Sequence, residues 1–133
     1  MIDTRNPEKN VCPEGRSPCP VACSLDLLGD KWTLLVVRDL LLGKTTYTEF
    51  QQSPEGIPTN ILAERLKRLL AAGIIEKSRY QERPVRYAYH LTGKGRDLGP
   101  VLSALIDWGN RHIPGTVPRE QIEAMARRLS TGK

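Results

Sequence analysis

Pro58-Thr-Asn-Ile-Leu-Ala-Glu-Arg-Leu-Lys-Arg-Leu-Leu-Ala-Ala-Gly73, Ile74-Ile-Glu-Lys-Ser-Arg-Tyr80, Gln81-Glu-Arg-Pro84 and Val85-Arg-Tyr-Ala-Tyr89 follow one another through the middle of the chain. Leu62, Leu66, Leu69 and Leu70 recur at helical spacing and make one apolar stripe, which predicts a helix. Thr59, Asn60, Glu64 and Lys67 then point away from that stripe. Pro58 suits the first helical turn, where its missing N–H would be unpaired anyway. Gly73 suits the position just past the helix end, where φ is usually positive. Val85, Tyr87, Tyr89 and Leu91 alternate with Arg86, Ala88 and His90, the period of a half-buried strand. The expectation is a helix with a polar outer face followed at once by a basic β-hairpin, the outline of a DNA-reading helix and its wing.

Charge follows the same boundaries. The chain of 133 residues has a formal net charge of +5. Between Pro58 and Asp97 stand nine Lys or Arg against four Asp or Glu, and the remaining residues hold eleven of each. The whole excess lies in the helix–hairpin unit and its exit, as a surface facing phosphates would require. Such a length argues for one domain with a modest core. No apolar run is long enough to span a bilayer, and the first residues carry no apolar signal segment, so no membrane partner and a cytoplasmic location are expected. Three cysteines in a cytosolic chain do not suggest a disulfide framework, and no His or carboxylate spacing beside them resembles a metal site.

Upstream, residues 1–18 are polar and rich in Pro, which predicts a flexible N-terminal arm. Cys19-Pro20 opens a short helix with Val21, Leu25 and Leu28 as its apolar stripe, ended by Gly29. Asp30 can cap the next helix, Lys31 to Leu42, which is apolar on most sides and belongs at the centre of the core. Thr46-Tyr47-Thr48-Glu49 has the form of a capping box, so a short helix runs to about Gln52, anchored by Phe50. Ser53-Pro54-Glu55-Gly56 is a turn by composition. A short helix, a tight turn and a longer helix make a helix-turn-helix.

Beyond the hairpin, Thr92 caps a helix whose repeat of Leu98, Val101, Leu102, Leu105, Ile106 and Trp108 continues to Trp108. Pro100 predicts a kink near Gly99. Gly109 and Pro114-Gly115 interrupt the pattern, and Pro118 opens a last helix to about Leu129, with Ile122, Met125, Ala126 and Leu129 on one face. This is more apolar surface than one small domain needs for itself, and a two-fold dimer built on Leu98, Val101, Leu102, Leu105, Ile106 and Trp108 would bury the surplus. The domain organisation expected is therefore an arm over 1–18, a DNA-binding domain with dimerisation helices over 19–115, and a C-terminal helix or tail over 116–133.

Six segments in order resemble a known family. They are Cys19-Pro20-Val21, Leu27-Leu28-Gly29-Asp30-Lys31-Trp32, Leu62-x-x-Arg65-Leu66-x-x-Leu69, Gly73-Ile74-Ile75, Pro84-Val85-Arg86-Tyr87-x-Tyr89-x-Leu91-Thr92-x-x-Gly95, and Leu98-x-Pro100-Val101-Leu102 through Trp108-Gly109. Together they are similar to the HxlR-type transcriptional regulators, bacterial and archaeal winged helix-turn-helix proteins related to the MarR type. The resemblance implies a mainly α fold with a small β-hairpin (α+β), and a homodimer, joined by its N- and C-terminal helices, on a palindromic operator. Several such regulators carry a cysteine that senses oxidants or electrophiles at the position of Cys19. Two departures stand out. Pro58 replaces a residue that commonly caps the reading helix with a hydroxyl, and the chain runs on from Thr116 to Lys133 where many members end.

The candidate groove-facing residues are Thr59, Asn60, Ala63, Glu64 and Lys67. Asn can bond adenine N6 and N7 together, and Thr offers a hydroxyl or methyl to base edges. Arg65 and Arg68 could reach phosphates; Arg65 equally suits a lock onto an acidic neighbour within the fold. Arg83 and Arg86 belong to the wing or its base, with phosphate or minor-groove contact as the expectation. Tyr47 and Thr48 start the helix that crosses the DNA backbone. Tyr87, Tyr89, Trp32 and Trp108 read as core-facing. Cys19 precedes a helix start, where the dipole favours the thiolate, and Cys12 or Cys23 could serve as a resolving thiol.

The sequence therefore predicts double-stranded DNA and a second copy of the chain as partners, with a small molecule or oxidant as a candidate effector. A winged module used only for protein contacts is the alternative. A thiol enzyme is disfavoured, because the chain lacks a Cys-x-x-Cys pair, a nearby His, a phosphate loop or any cofactor motif, and no cofactor is expected.

Overall fold

Thr33–Leu42 forms helix α2 at the centre of the molecule, with Val36 and Val37 almost fully enclosed and Leu40 buried beside them. The structure, a computed structural model, describes residues 17–131. Cys12 and nearly all of the expected N-terminal arm lie outside the described residues. Around α2 stand α1 (Pro20–Leu28), α3 (Tyr47–Gln51), α4 (Thr59–Ala71), the strands β1 (Ile75–Glu82) and β2 (Val85–Leu91), α5 (Gly93–Arg96), α6 (Gly99–His112) and α7 (Arg119–Thr131). The fold is mainly helical with one antiparallel hairpin, as the sequence predicts. Phe50 of α3, Leu62, Leu66 and Leu69 of α4, and Ile74, Ile75 and Leu91 at the hairpin base close one core against α2. Burial of each such side chain stabilises the fold by about 1.5–3 kcal/mol. Among the described residues no helix is long and apolar enough to cross a membrane.

Local chemistry accounts for most boundaries. Asp30 accepts hydrogen bonds from the Trp32 and Thr33 amides, both at 3.1 Å, and so caps the start of α2. Gly43 ends that helix at φ 110°, a left-handed conformation that favours glycine. At α3 the Thr46 hydroxyl takes the Glu49 amide while the Glu49 carboxylate takes the Thr46 amide, a reciprocal box. Pro58 lies one residue earlier than expected. It is extended at φ −61° and ψ 144°, outside α4, and supplies no side-chain cap.

The hairpin is anchored at its base and open at its tip. Ile75 pairs with Leu91 and both are buried, whereas Glu82 and Val85 at the far end are exposed. A further bridge joins Thr46 to Ala88, and the Tyr89 amide donates to the Thr45 carbonyl at 2.8 Å, fastening β2 beside the start of α3. Gly95 lies so close to the hairpin base that a Cβ there would sit 2.2 Å from the Ile74 carbonyl oxygen. Only glycine lets α5 seat against that strand.

Several expectations change. The helix after Thr92 is broken into α5 and α6 instead of kinked, because Pro100, without an N–H, sits in the first turn of a fresh helix. Gly109 does not interrupt α6, which continues to His112. Of the expected α1 stripe, Leu28 packs on the core together with Leu27, whereas Val21 and Leu25 are exposed. Trp108 is 58% exposed, so it does not face this chain's core. Cys23 is disulfide-bonded, against the expectation of a chain without disulfides, and so is not a free resolving thiol. The expected last helix is present as α7, whose Arg119 is held by Asp107 at 2.7 Å and by the Ser103 carbonyl at 2.8 Å on α6.

Candidate nucleic-acid interface

The outer face of α4 is what the core leaves over. With Leu62, Leu66 and Leu69 turned inward, helical geometry sends Thr59, Asn60, Ala63, Glu64 and Lys67 outward, and all five are exposed. Helix α3 holds the first of them. The Tyr47 hydroxyl donates to the Thr59 carbonyl at 2.9 Å, and the Gln51 side-chain amide donates to the Thr59 hydroxyl at 3.3 Å. Tyr47 is half-buried and works inside the motif, whereas Thr48 is exposed at the helix start. Gln51 was not among the sequence candidates. It lies one turn after Tyr47 on the same side of α3, and that spacing was the available signal.

The turn between α3 and α4 is fixed from behind by charge. Arg38 of α2 grips the Glu55 carboxylate with both terminal nitrogens at 2.8 Å and also holds Asp39 at 2.8 Å. Asp39, 4% exposed, accepts from the Ser53 hydroxyl through a short hydrogen bond, and Lys44 donates to that hydroxyl at 2.7 Å. The hydrogen bond from Arg38 holds the Glu55 carboxyl below its ordinary range, and the same pair raises the Arg38 guanidinium. No single residue of this network stands out in the sequence, because its members are spread from α2 to the turn.

Arg65 and Arg68 turn out to be bound within the fold. Arg65 donates to Asp30 at 2.8 Å and pairs with Glu64, while Arg68 donates to Asp30 at 3.0 Å and to the Leu27 carbonyl at 2.9 Å. The acidic neighbour foreseen for Arg65 is Asp30, and Arg68 shares it. Burial works to raise the Asp30 carboxyl, but hydrogen bonds from Thr33, Arg65 and the Trp32 amide, together with the Arg65 charge, outweigh it and hold the group well below the usual carboxylate range.

The wing carries the remaining basic candidates. Arg83 and Arg86 are exposed at and beside its tip, where the Arg83–Pro84 peptide bond is cis and the Gln81 side chain donates to the Arg83 and Pro84 carbonyls. Lys77 lies 4.4 Å from the centre of the Tyr87 ring, a cation–π contact on the hairpin face. Tyr89, nearer the base, packs against the core with its ring 6.3 Å from Phe50.

Two further surfaces were foreseen. Of the six residues assigned to a dimer contact, Leu98 and Leu102 pack against this chain's own core and Ile106 is half-buried. Val101, Leu105 and Trp108 remain as an exposed apolar row on α6, with the His112 ring 5.1 Å from that of Trp108 and tilted to it by 47°. Cys19 is an exposed free thiol at the start of α1. Hydrogen bonds from the Ala22 and Val21 amides lower its pKa.

Comparison with known proteins places these features in a family. The model of the HxlR-like helix-turn-helix matches residues 27–116. An uncharacterized HTH-type transcriptional regulator of Mycobacterium tuberculosis is 35% identical over 101 residues, which are 76% of this chain and 61% of that protein. The chain thus spans about three fifths of that relative's length. Among solved structures, the redox regulator HypR in its reduced form superposes with a TM-score of 0.67 at 30% identity, covering 72% of this chain and 95% of HypR. The reduced form of the transcriptional regulator YodB from B. subtilis gives a TM-score of 0.61 at 31% identity, covering 74% and 98%.

Proposed function

This chain belongs to the HxlR-like helix-turn-helix family, and from that membership we propose that it is a cytoplasmic transcriptional regulator that binds double-stranded DNA as a homodimer on a palindromic operator. The observation that carries the reading is the exposed polar face of α4, set beside a wing whose tip presents Arg83 and Arg86. Helix α4 enters the major groove with Thr59, Asn60 and Ala63 toward base edges, and Lys67 toward the backbone. Thr48 and the start of α3 lie along the phosphates, and the wing arginines contact phosphate or the minor groove. The exposed row Val101, Leu105 and Trp108, with Val21 and Leu25 of α1, supports a second copy as the partner that buries it.

Selection of duplex from a random pool, followed by titration across salt, tests this. Enrichment of a two-fold symmetric site, with affinity falling steeply as salt rises, is the expected result. Failure to enrich any sequence, or a salt-insensitive contact with protein alone, would favour the winged module that serves only protein contacts.

An oxidant-responsive reading has its own support. HypR is described as a redox regulator, and Cys19 is exposed, free and tuned toward the thiolate. Release from DNA on oxidation that persists unchanged in Cys19→Ser would remove Cys19 from that role.

A further inference from the structure

One carboxylate joins α4 to the start of α2, and one of the arginines that holds it also reaches α1. Asp30 sits between the end of α1 and the start of α2. One of its oxygens accepts from the Trp32 and Thr33 amides and from Arg65 Nε of α4, and the other accepts from the Thr33 hydroxyl at 2.5 Å and from Arg68 Nη2 of α4. The same Arg68 nitrogen donates to the Leu27 carbonyl in the last turn of α1. We propose that Asp30 is a positioning residue for DNA recognition, a joint through which the setting of α1 fixes the angle at which α4 meets the groove.

The argument rests on the DNA-binding reading and deepens it. Arg65 and Arg68 lie three residues apart on the flank of α4, between its buried stripe and its outer face. The apolar stripe alone resists lifting of the helix but resists rolling poorly, since dispersion contacts are non-directional. Two guanidiniums held on one fixed carboxylate oppose that roll. The geometry is sensitive, because a roll of about 10° moves groove-facing side chains by about 1 Å at a helix's outer radius of ~5–6 Å. A displacement of that size carries a base-edge hydrogen bond out of range. Helix α1 meets the core through Leu27 and Leu28 and leaves Val21 and Leu25 exposed, so whatever packs on that open face acts directly on the carbonyl that Arg68 holds.

The test uses the full chain and the duplex that wild type selects from a random pool, with Arg68→Lys, Arg68→Gln and Lys67→Gln compared. The joint needs a donor at the position of Arg68 Nη2, which bridges Asp30 and the Leu27 carbonyl and which a lysine ammonium, one bond shorter, does not reach. Both Arg68 variants should therefore lose about tenfold in affinity while the slope of log affinity against log salt stays that of wild type. Lys67→Gln, the groove-side reference, should lower that slope by about 0.9. An Arg68→Lys protein that binds as wild type does, or an Arg68→Gln slope reduced as in Lys67→Gln, would make Arg68 a phosphate contact and overturn the joint while leaving DNA binding intact. Hydrogen exchange on wild type gives a readout independent of any variant's folding. Operator binding should slow exchange of the Trp32 and Thr33 amides, and unchanged rates there would overturn the proposal. Wild type that selects no duplex would remove the DNA-binding reading itself, and the joint with it.

Discussion

The Tyr47 hydroxyl lies 2.9 Å from the Thr59 carbonyl and donates to it, joining the first residue of α3 to the first residue of α4. Pro58 has no side-chain cap to offer α4, so the entry to that helix is defined from α3 instead. Tyr47→Phe should keep the ring packing and lose this bond. The expected cost is about 1 kcal/mol in denaturant unfolding, with weaker operator binding in the same variant.

Behind the turn, Asp39 is enclosed with Arg38 and Ser53 as partners and Lys44 one hydrogen bond beyond. Asp39→Ala would strand these groups and should destabilise by about 3–5 kcal/mol in urea melts. Ser53→Ala, which leaves the carboxylate in place, should cost about 1–3 kcal/mol. An Asp39→Ala protein as stable as wild type would show that the turn is held by packing alone.

Acid should erode the stability that Asp30 and Glu55 contribute to the fold. Asp30 and Glu55 both titrate below their ordinary values in the folded chain. Their contribution to stability is therefore full above the unfolded pKa of ~4 and is lost progressively as pH falls below it toward the folded values. Urea midpoints measured from pH 7 down to acid should fall most steeply below about pH 4–5, and Asp30→Asn should flatten that fall. A variant with the wild-type acid profile would place the sensitivity elsewhere.

The exposed row on α6 gives a prediction about assembly. Leu105→Glu puts a charge in the centre of Val101, Leu105 and Trp108, all exposed in the single chain. The folded chain should tolerate it with a melting temperature close to wild type, while sedimentation shows a shift from dimer to monomer. A variant of unchanged mass would move the subunit contact off this face.

Reactivity at Cys19 should exceed that of an ordinary thiol. Its pKa is lowered by the Ala22 and Val21 amides, and the side chain is exposed. Alkylation rates followed against pH should show a midpoint below the ~8.5 of a free cysteine. A midpoint at or above that value would mean the helix start does not stabilise the thiolate.

Much of this architecture was readable because it is local. The leucine spacing of α4, the Thr46–Glu49 box, the Asp30 cap and Gly73 each involve residues within a few positions of one another, and the structure contains all of them. What the sequence hid depends on partners far apart in the chain. Arg68 meets Leu27 across 41 positions and Asp30 across 38, and Asp39 meets Ser53 across 14. An arginine on a helix flank looks the same in sequence whether it faces a phosphate or a carboxylate of its own chain. The α1 stripe misled for a related reason, since periodicity marks an apolar face without saying whether this chain or another surface covers it. The break before α6 was half legible: Pro100 announced a disruption, but a bend and a restart differ only in how the preceding residues are seated.

The hairpin, fastened at Ile75 and Leu91 and bare from Glu82 to Val85, distributes stiffness unevenly along its length. Its root is tied to the body of the protein, while its end is held only by its own strand pairing and by the Gln81 side chain. On the proposed DNA-binding reading, sequence discrimination falls to α4, and tolerance of local duplex shape falls to the wing tip.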